Sequence, residues 1–280
     1  MKSLPLTIEE YSWTGPKGLS ICARHWVVEH PKAAVCLVHG LGEHCARYRQ
    51  VAEYFAKRGI ALSGFDLPGH GRSGGSRGHA FSTEVIFENI ARLLKEVSAK
   101  YPGIPLFLYG QSMGGNLVLS YTLARRPTVS GVIATSSWIR LPEKPSPLLV
   151  AFGCMMRRVL PSFTQNSGLN PRYISRDDEV VRAYQSDSLV HNRISVETGL
   201  SLLEAAQKLD AFAGKVPVPV LLIHGSADQI TDPAGSEGFA KRAKGDVTFK
   251  RWDSLYHETH NEPEKEVVLA NMAGWIETHS

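Results

Sequence analysis

The chain has 280 residues, 43 % of them hydrophobic and 21 % charged, which fits one large α/β domain or one domain carrying an insertion. Its net charge of +4, from 31 basic and 27 acidic residues mixed along the chain, speaks against a nucleic-acid partner. No apolar stretch approaches the ~20 residues that span a bilayer, and the opening Met1–Glu10 lacks the apolar core of a secretory signal. Cys22, Cys36, Cys45 and Cys154 have neither zinc nor redox spacing and read as reduced thiols of a cytoplasmic protein.

Short apolar runs alternate with helix-period stretches, which predicts a mostly parallel sheet with helices on both faces. Strands are predicted at Ala33–Val38 and Ile60–Phe65, with a helix over Tyr48–Arg58 between them and another over Thr83–Tyr101 after them. The apolar run Ile104–Tyr109 leads into a helix at Asn116–Arg125, followed by a strand at Gly131–Thr135. From Trp138 to about Val196 the alternation lapses into prolines, bulky apolar residues and charges. It resumes with a helix at Glu197–Ala211, a strand at Val218–Ile223, a helix after Thr231-Asp232-Pro233, a strand at Asp246–Trp252 and a closing helix over Pro263–Thr278. The expected organisation is a core of residues 1–137 and 197–280 with an inserted cap, 138–196, over the carboxyl edge of the sheet, where open α/β sheets bind ligands.

Gly110-Gln111-Ser112-Met113-Gly114 lies between a predicted strand and a predicted helix. That context makes it a nucleophile elbow, with Ser112 in a strained turn whose neighbours must be small. A serine nucleophile needs an imidazole, and the imidazole needs a carboxylate, in the chain order Ser, Asp/Glu, His. Asp228 comes after the strand Val218–Ile223 and is the preferred acid; its rival Asp232 precedes Pro233, as a helix cap would. His257 comes first after the last strand and is the preferred base, with His260 three residues on. The oxyanion donors are expected to be the backbone N–H of Met113 and of Leu41, in Val38-His39-Gly40-Leu41-Gly42-Glu43.

Other signals carry less. Gly69-His70-Gly71-Arg72-Ser73-Gly74 matches a dinucleotide fingerprint, but the loop runs on through Gly78 with no helix start to receive a pyrophosphate. His39, His44, His257 and His260 have no metal-site spacing, so neither metal nor organic cofactor is expected. Leu148–Met156 is apolar nearly all round, with Arg157 and Arg158 at its end. It reads either as a buried cap helix or as a greasy lid wall that meets acyl chains or a membrane surface.

Taken together, Leu37-Val38-His39-Gly40-Leu41-Gly42-Glu43-His44, Arg47-Tyr48, Phe65–Ser73, Ser112-Met113-Gly114-Gly115, Tyr184-Gln185-Ser186-Asp187 and Gly225-Ser226-Ala227-Asp228 resemble the monoacylglycerol lipases and related lysophospholipases. The resemblance implies an α/β-hydrolase fold with a mobile cap over an acylglycerol pocket. It implies that Glu43, Arg47, Tyr184 and His260 hold the glyceryl head. Where the family often has His before the nucleophile, this chain has Gln111, an amide that can bond a glyceryl oxygen but cannot become cationic. The implied reaction is hydrolysis of a monoacylglycerol through an acyl-serine, with a lipid ester as substrate, a transient membrane-surface contact through the cap as the further partner, and no signal for oligomeric state. A lysophospholipid or small carboxylester is the near alternative. A catalytically silent binding protein on the same fold is the distant one.

Overall fold

The computed structural model describes residues 6–280. Its elements run β1 (Thr7–Thr14), β2 (Ser20–Val27), β3 (Ala33–Val38), α1 (Arg49–Ala56), β4 (Ile60–Phe65), α2 (Thr83–Lys100), β5 (Leu106–Gln111), α3 (Met113–Arg125) and β6 (Gly131–Thr135). An inserted stretch then holds α4 (Pro147–Val159), β7 (Thr164–Asn166), α5 (Asp178–Ser186) and β8 (Arg193–Ser195). The alternation closes with α6 (Val196–Ala211), β9 (Val220–Gly225), α7 (Pro233–Arg242), β10 (Val247–Trp252) and α8 (Lys265–Thr278).

Eight strands form one sheet in the order β1-β2-β4-β3-β5-β6-β9-β10. From β4 to β10 every pairing is parallel, whereas β1 and β2 run antiparallel at one edge. The fold is that of an α/β-hydrolase. The β1–β2 hairpin is an addition to the elements expected from sequence. β2 alternates, with Ile21, Ala23 and His25 buried, but β1 is an edge strand in which only Trp13 is buried, so it has no continuous apolar run.

The parallel strands are apolar throughout because both faces are covered. In β3, Ala34, Cys36 and Val38 join a core shared with α2, α3, α6 and α7. Val35 and Leu37 join a second core with α1 and α8. That double burial fixes the register, since a one-residue slip would exchange the two sets. It also makes the carboxyl ends of β3, β5, β6, β9 and β10 a rigid rim from which loops can present side chains.

Residues 136–195, between β6 and α6, add no strand to this sheet; β7 and β8 pair only with each other. α4 is started by Ser146, whose hydroxyl accepts Leu149 N–H, and by Pro147 in its first turn. None of its residues is buried. The expectation of a buried cap helix therefore gives way to an exposed apolar one.

Candidate active site

Ser112 stands between β5 and α3 with φ 57° and ψ −115°, a conformation that costs a non-glycine residue on the order of 1–3 kcal/mol. Backbone bonds on both sides hold it. Its N–H donates to Thr135 O at 2.9 Å, and its carbonyl accepts from Asn116 N at 3.1 Å and Trp138 N at 3.0 Å. A Cβ on Gly114 would collide with the carbonyl oxygens of Val38 and His39, and one on Gly110 with that of Gly114. Only glycine lets α3 start this close to the ends of β3 and β5.

Asp228 lies in the loop after β9 and His257 in the loop after β10. His257 Nδ1 donates to Asp228 Oδ2 at 2.8 Å. The alternative acid, Asp232, is engaged elsewhere: its carboxylate accepts Ala234 N–H at 2.9 Å and caps α7. Ser112, His257, Leu41, Gln111 and Tyr184 line one narrow cavity of about 10 Å³. Ser112 and His257 both line it with no hydrogen bond between their side chains, a contact that in such sites commonly tightens on substrate binding.

Burial alone would push the His257 pKa down, but the Asp228 carboxylate, helped by Glu258 and Glu43, outweighs it and holds the ring above the ordinary histidine value. Burial would likewise raise Asp228. Facing His257 and His224, its carboxyl instead lies far below the usual range. Met113 opens α3, so its N–H is one of the first-turn donors that a helix leaves unpaired at its positive end. The N–H of Leu41 has no backbone acceptor among the described residues. Gly40 brings the loop carrying Leu41 against the Ser112 side chain, its ideal Cβ position lying 3.4 Å from Ser112 Cβ.

The sequence profile of the serine aminopeptidase S33 family matches residues 29–264. The chain is 32 % identical over 276 residues to the monoacylglycerol lipase of Mycolicibacterium smegmatis, covering 98 % of each. It is 37 % identical over 261 residues to an uncharacterised abhydrolase domain-containing protein of Dictyostelium discoideum, covering 92 % of this chain but spanning only 28 % of that protein's length. The crystal structure of Paleococcus ferrophilus monoacylglycerol lipase superposes with a TM-score of 0.83 at 33 % identity, over 99 % of this chain and 100 % of that one. This chain belongs to the monoacylglycerol lipase-like family of α/β-hydrolases.

For this family member the residues expected to hold a glyceryl head divide sharply. Tyr184 faces the cavity, its hydroxyl set beside the oxyanion loop, 3.7 Å from where a Cβ on Gly42 would stand. Glu43 also reaches the cavity, but Oε1 accepts from Gly40 N at 2.7 Å and from the Tyr48 hydroxyl at 2.8 Å, while Oε2 pairs with Arg47. Arg47 is not in the cavity lining. It forks onto Glu258 with two bonds of 2.7 Å and stacks its guanidinium 4.7 Å from the Tyr184 ring centre. His260 is absent from the lining as well: it is buried, stacked on Tyr48 at 4.9 Å, and burial lowers its pKa to about 4. Gln111 is committed at both ends of its amide, donating to His257 O at 3.0 Å and accepting from the Thr135 hydroxyl. Arg47 and His260 thus stand behind the wall of this cavity, while Gln111 lines it with both ends of its amide already engaged. Glu258 and His224 are functional neighbours that sequence reasoning did not single out. Glu258 adjoins His257 and His224 precedes Gly225, the last residue of β9, and neither position carries a signal of pairing until the loops converge.

The side chains of Arg47, Glu43 and Glu258 are 10 %, 4 % and 5 % exposed. Removing the cation would leave two carboxylates buried without a counter-charge, a loss of about 3–5 kcal/mol. Arg47→Ala is therefore expected to lower the thermal midpoint and to reduce kcat/KM for glyceryl and p-nitrophenyl esters alike. A selective loss on glyceryl esters with an unchanged midpoint would return Arg47 to the head-group site.

Proposed function

We propose that this chain is a serine hydrolase that cleaves a monoacylglycerol to a fatty acid and glycerol. The observation that carries the reading is the meeting of Ser112, His257 and the Leu41 turn around one cavity, with Asp228 behind the ring. Ser112 Oγ attacks the ester carbonyl while His257 Nε2 takes its proton, and Asp228 stabilises the imidazolium. The N–H groups of Leu41 and Met113 hold the oxyanion. His257 then protonates the leaving glyceryl oxygen, and a water deprotonated by the same ring releases the fatty acid and frees Ser112. Every step is a proton transfer or acyl transfer among these groups.

Two observations support the substrate class. The relatives that are monoacylglycerol lipases match over nearly the whole chain. An apolar cleft of about 250 Å³ also opens between α4 and α6, walled by Trp138, Leu149, Phe152, Met156 and Leu200. Trp138 is the residue whose N–H bonds Ser112 O, so the cleft begins beside the elbow. Residues 138–196 act in this reading as a cap, with Tyr184 supplying a hydroxyl to the glyceryl head.

The reading is tested by kcat/KM for a monoacylglycerol, lysophosphatidylcholine and p-nitrophenyl butyrate. The monoacylglycerol is expected to be the best of the three, and Ser112→Ala to cost roughly 10⁴-fold or more on all. A preference for lysophosphatidylcholine or for the short ester would move the assignment to lysophospholipase or carboxylesterase, and a fully active Ser112→Ala would end it. Because the base must be unprotonated, activity is expected to fall as pH drops through a midpoint above 6.5.

The cap also supplies a surface for reaching lipid. Of the nine exposed large hydrophobic residues among those described, seven lie between Leu148 and Phe163, with Leu148 83 % and Val159 71 % exposed. No helix among the described residues is long and apolar enough to cross a membrane. We propose that this patch rests on the membrane surface. Replacing Leu148 and Val159 together by Glu is expected to abolish sedimentation with phosphatidylcholine vesicles while leaving p-nitrophenyl butyrate hydrolysis intact. Unchanged sedimentation would refute the contact.

A further inference from the structure

The ring of His224, the penultimate residue of β9, is fully buried against Asp228. Its Nε2 lies 3.1 Å from Asp228 Oδ2 and its Nδ1 lies 2.8 Å from Ser236 Oγ. A carboxylate only accepts, so Nε2 carries the hydrogen and Nδ1 receives the Ser236 hydroxyl. Ser236 sits in the first turns of α7 and is itself buried, which fixes the ring from behind. Asp228 Oδ2 thus accepts from two imidazoles, with Thr231 Oγ1 a third donor at 2.9 Å. Oδ1 accepts the N–H groups of Ile230 at 2.7 Å and Thr231 at 3.0 Å.

We infer that His224 is a positioning residue for the hydrolytic reaction: it shares the carboxylate oxygen that His257 uses and thereby sets how strongly Asp228 holds the His257 proton. The inference rests on the reading of Ser112, His257 and Asp228 given under the proposed function. Each donor that an ionised carboxylate accepts disperses its charge and weakens its pull on the others. The shared oxygen also prevents the carboxylate from turning away when His257 moves toward Ser112. The charged groups that bear on His257 are Asp228 from the β9–α7 loop, Glu258 from its own loop and Glu43 from the loop after β3. His224 reaches only the first of these directly, so its influence on His257 passes through Asp228, with Thr231 Oγ1, 3.3 Å from both rings, at the same junction.

A buried histidine that merely fills the core would, when replaced, change stability and leave the pH profile alone. The discriminating measurement is the acid limb of kcat/KM against pH for p-nitrophenyl butyrate, taken on wild type, His224→Leu, His224→Gln and Ser236→Ala. In His224→Leu the carboxylate keeps more charge for His257, and the midpoint is expected to rise by roughly half a unit. His224→Gln, whose amide N–H can stand where Nε2 stood, is expected to restore the wild-type midpoint. An unmoved midpoint in His224→Leu, or an equal shift in His224→Gln, overturns the inference. Should His224→Leu fail to fold, Ser236→Ala decides: loss of the bond that fixes the ring is expected to raise the midpoint, and an unmoved one overturns the inference. Wild-type enzyme that no serine-directed fluorophosphonate labels would instead remove the hydrolase reading beneath it.

Discussion

Taking a carboxylate out of water costs several kcal/mol unless donors replace the lost hydration. Asp228, whose side chain has no exposure, meets that condition with two backbone N–H groups, a threonine hydroxyl and two imidazoles. All of these come from the end of β9, the turn after it and the loop after β10. The carboxylate can be ionised only when those segments are in register, so the same burial that threatens it also locks the acid, the base and the sheet edge together. Its charge then does the opposite work on His257, raising a pKa that burial by itself would depress.

The serine side of the cavity is organised by a second buried charge group. Arg47, between Glu43 and Glu258, ties the loop after β3 to the residue next to His257. The inserted stretch is fastened to the same two loops. His191 N–H donates to Gly42 O at 2.8 Å, His44 Nε2 meets Asp187 Oδ2 at 2.8 Å, and Glu258 N–H donates to Ile174 O at 2.7 Å. The polar walls of the cavity are therefore held by directed contacts. Helix α4 is held differently: it meets α6 through Arg157 bridging Glu197 and Glu204, and presents many apolar side chains to the cleft and to the exterior. A firmly held polar end and a loosely covered apolar one suit an ester whose head must be placed and whose chain must enter.

Much of this is legible from residues alone because each candidate group comes directly after a strand at the sheet's carboxyl edge. Strands buried on both faces are continuous apolar runs, and the next loop necessarily lies at that edge, as with Ser112 after β5 and Asp228 after β9. The choice of Asp228 over Asp232 is legible for a local reason, since an Asp before Pro announces a helix cap. Pairing partners are not legible. Glu43, Arg47 and His260 are expected by resemblance to face substrate, and nothing along the chain announces the protein neighbours each of them also meets: Tyr48 for Glu43 and His260, and Glu258, far along the chain, for Arg47. His224 is hidden for the same reason: read along the chain it is the polar end of an apolar strand, and only the convergence of two loops gives its ring a role. The β1–β2 hairpin leaves little pattern because an edge strand buries too little to write one.

The convergence on Asp228 is tested most directly by comparing kcat for Asp228→Asn and Asp232→Asn on a monoacylglycerol, with thermal midpoints measured alongside. Asp228→Asn should lose about 10⁴-fold in kcat because the His257 tautomer is no longer enforced. Asp232→Asn should stay within a few-fold of wild type, since asparagine still caps α7. Near-normal turnover in Asp228→Asn, with the large loss falling on Asp232→Asn, would contradict the arrangement at its centre.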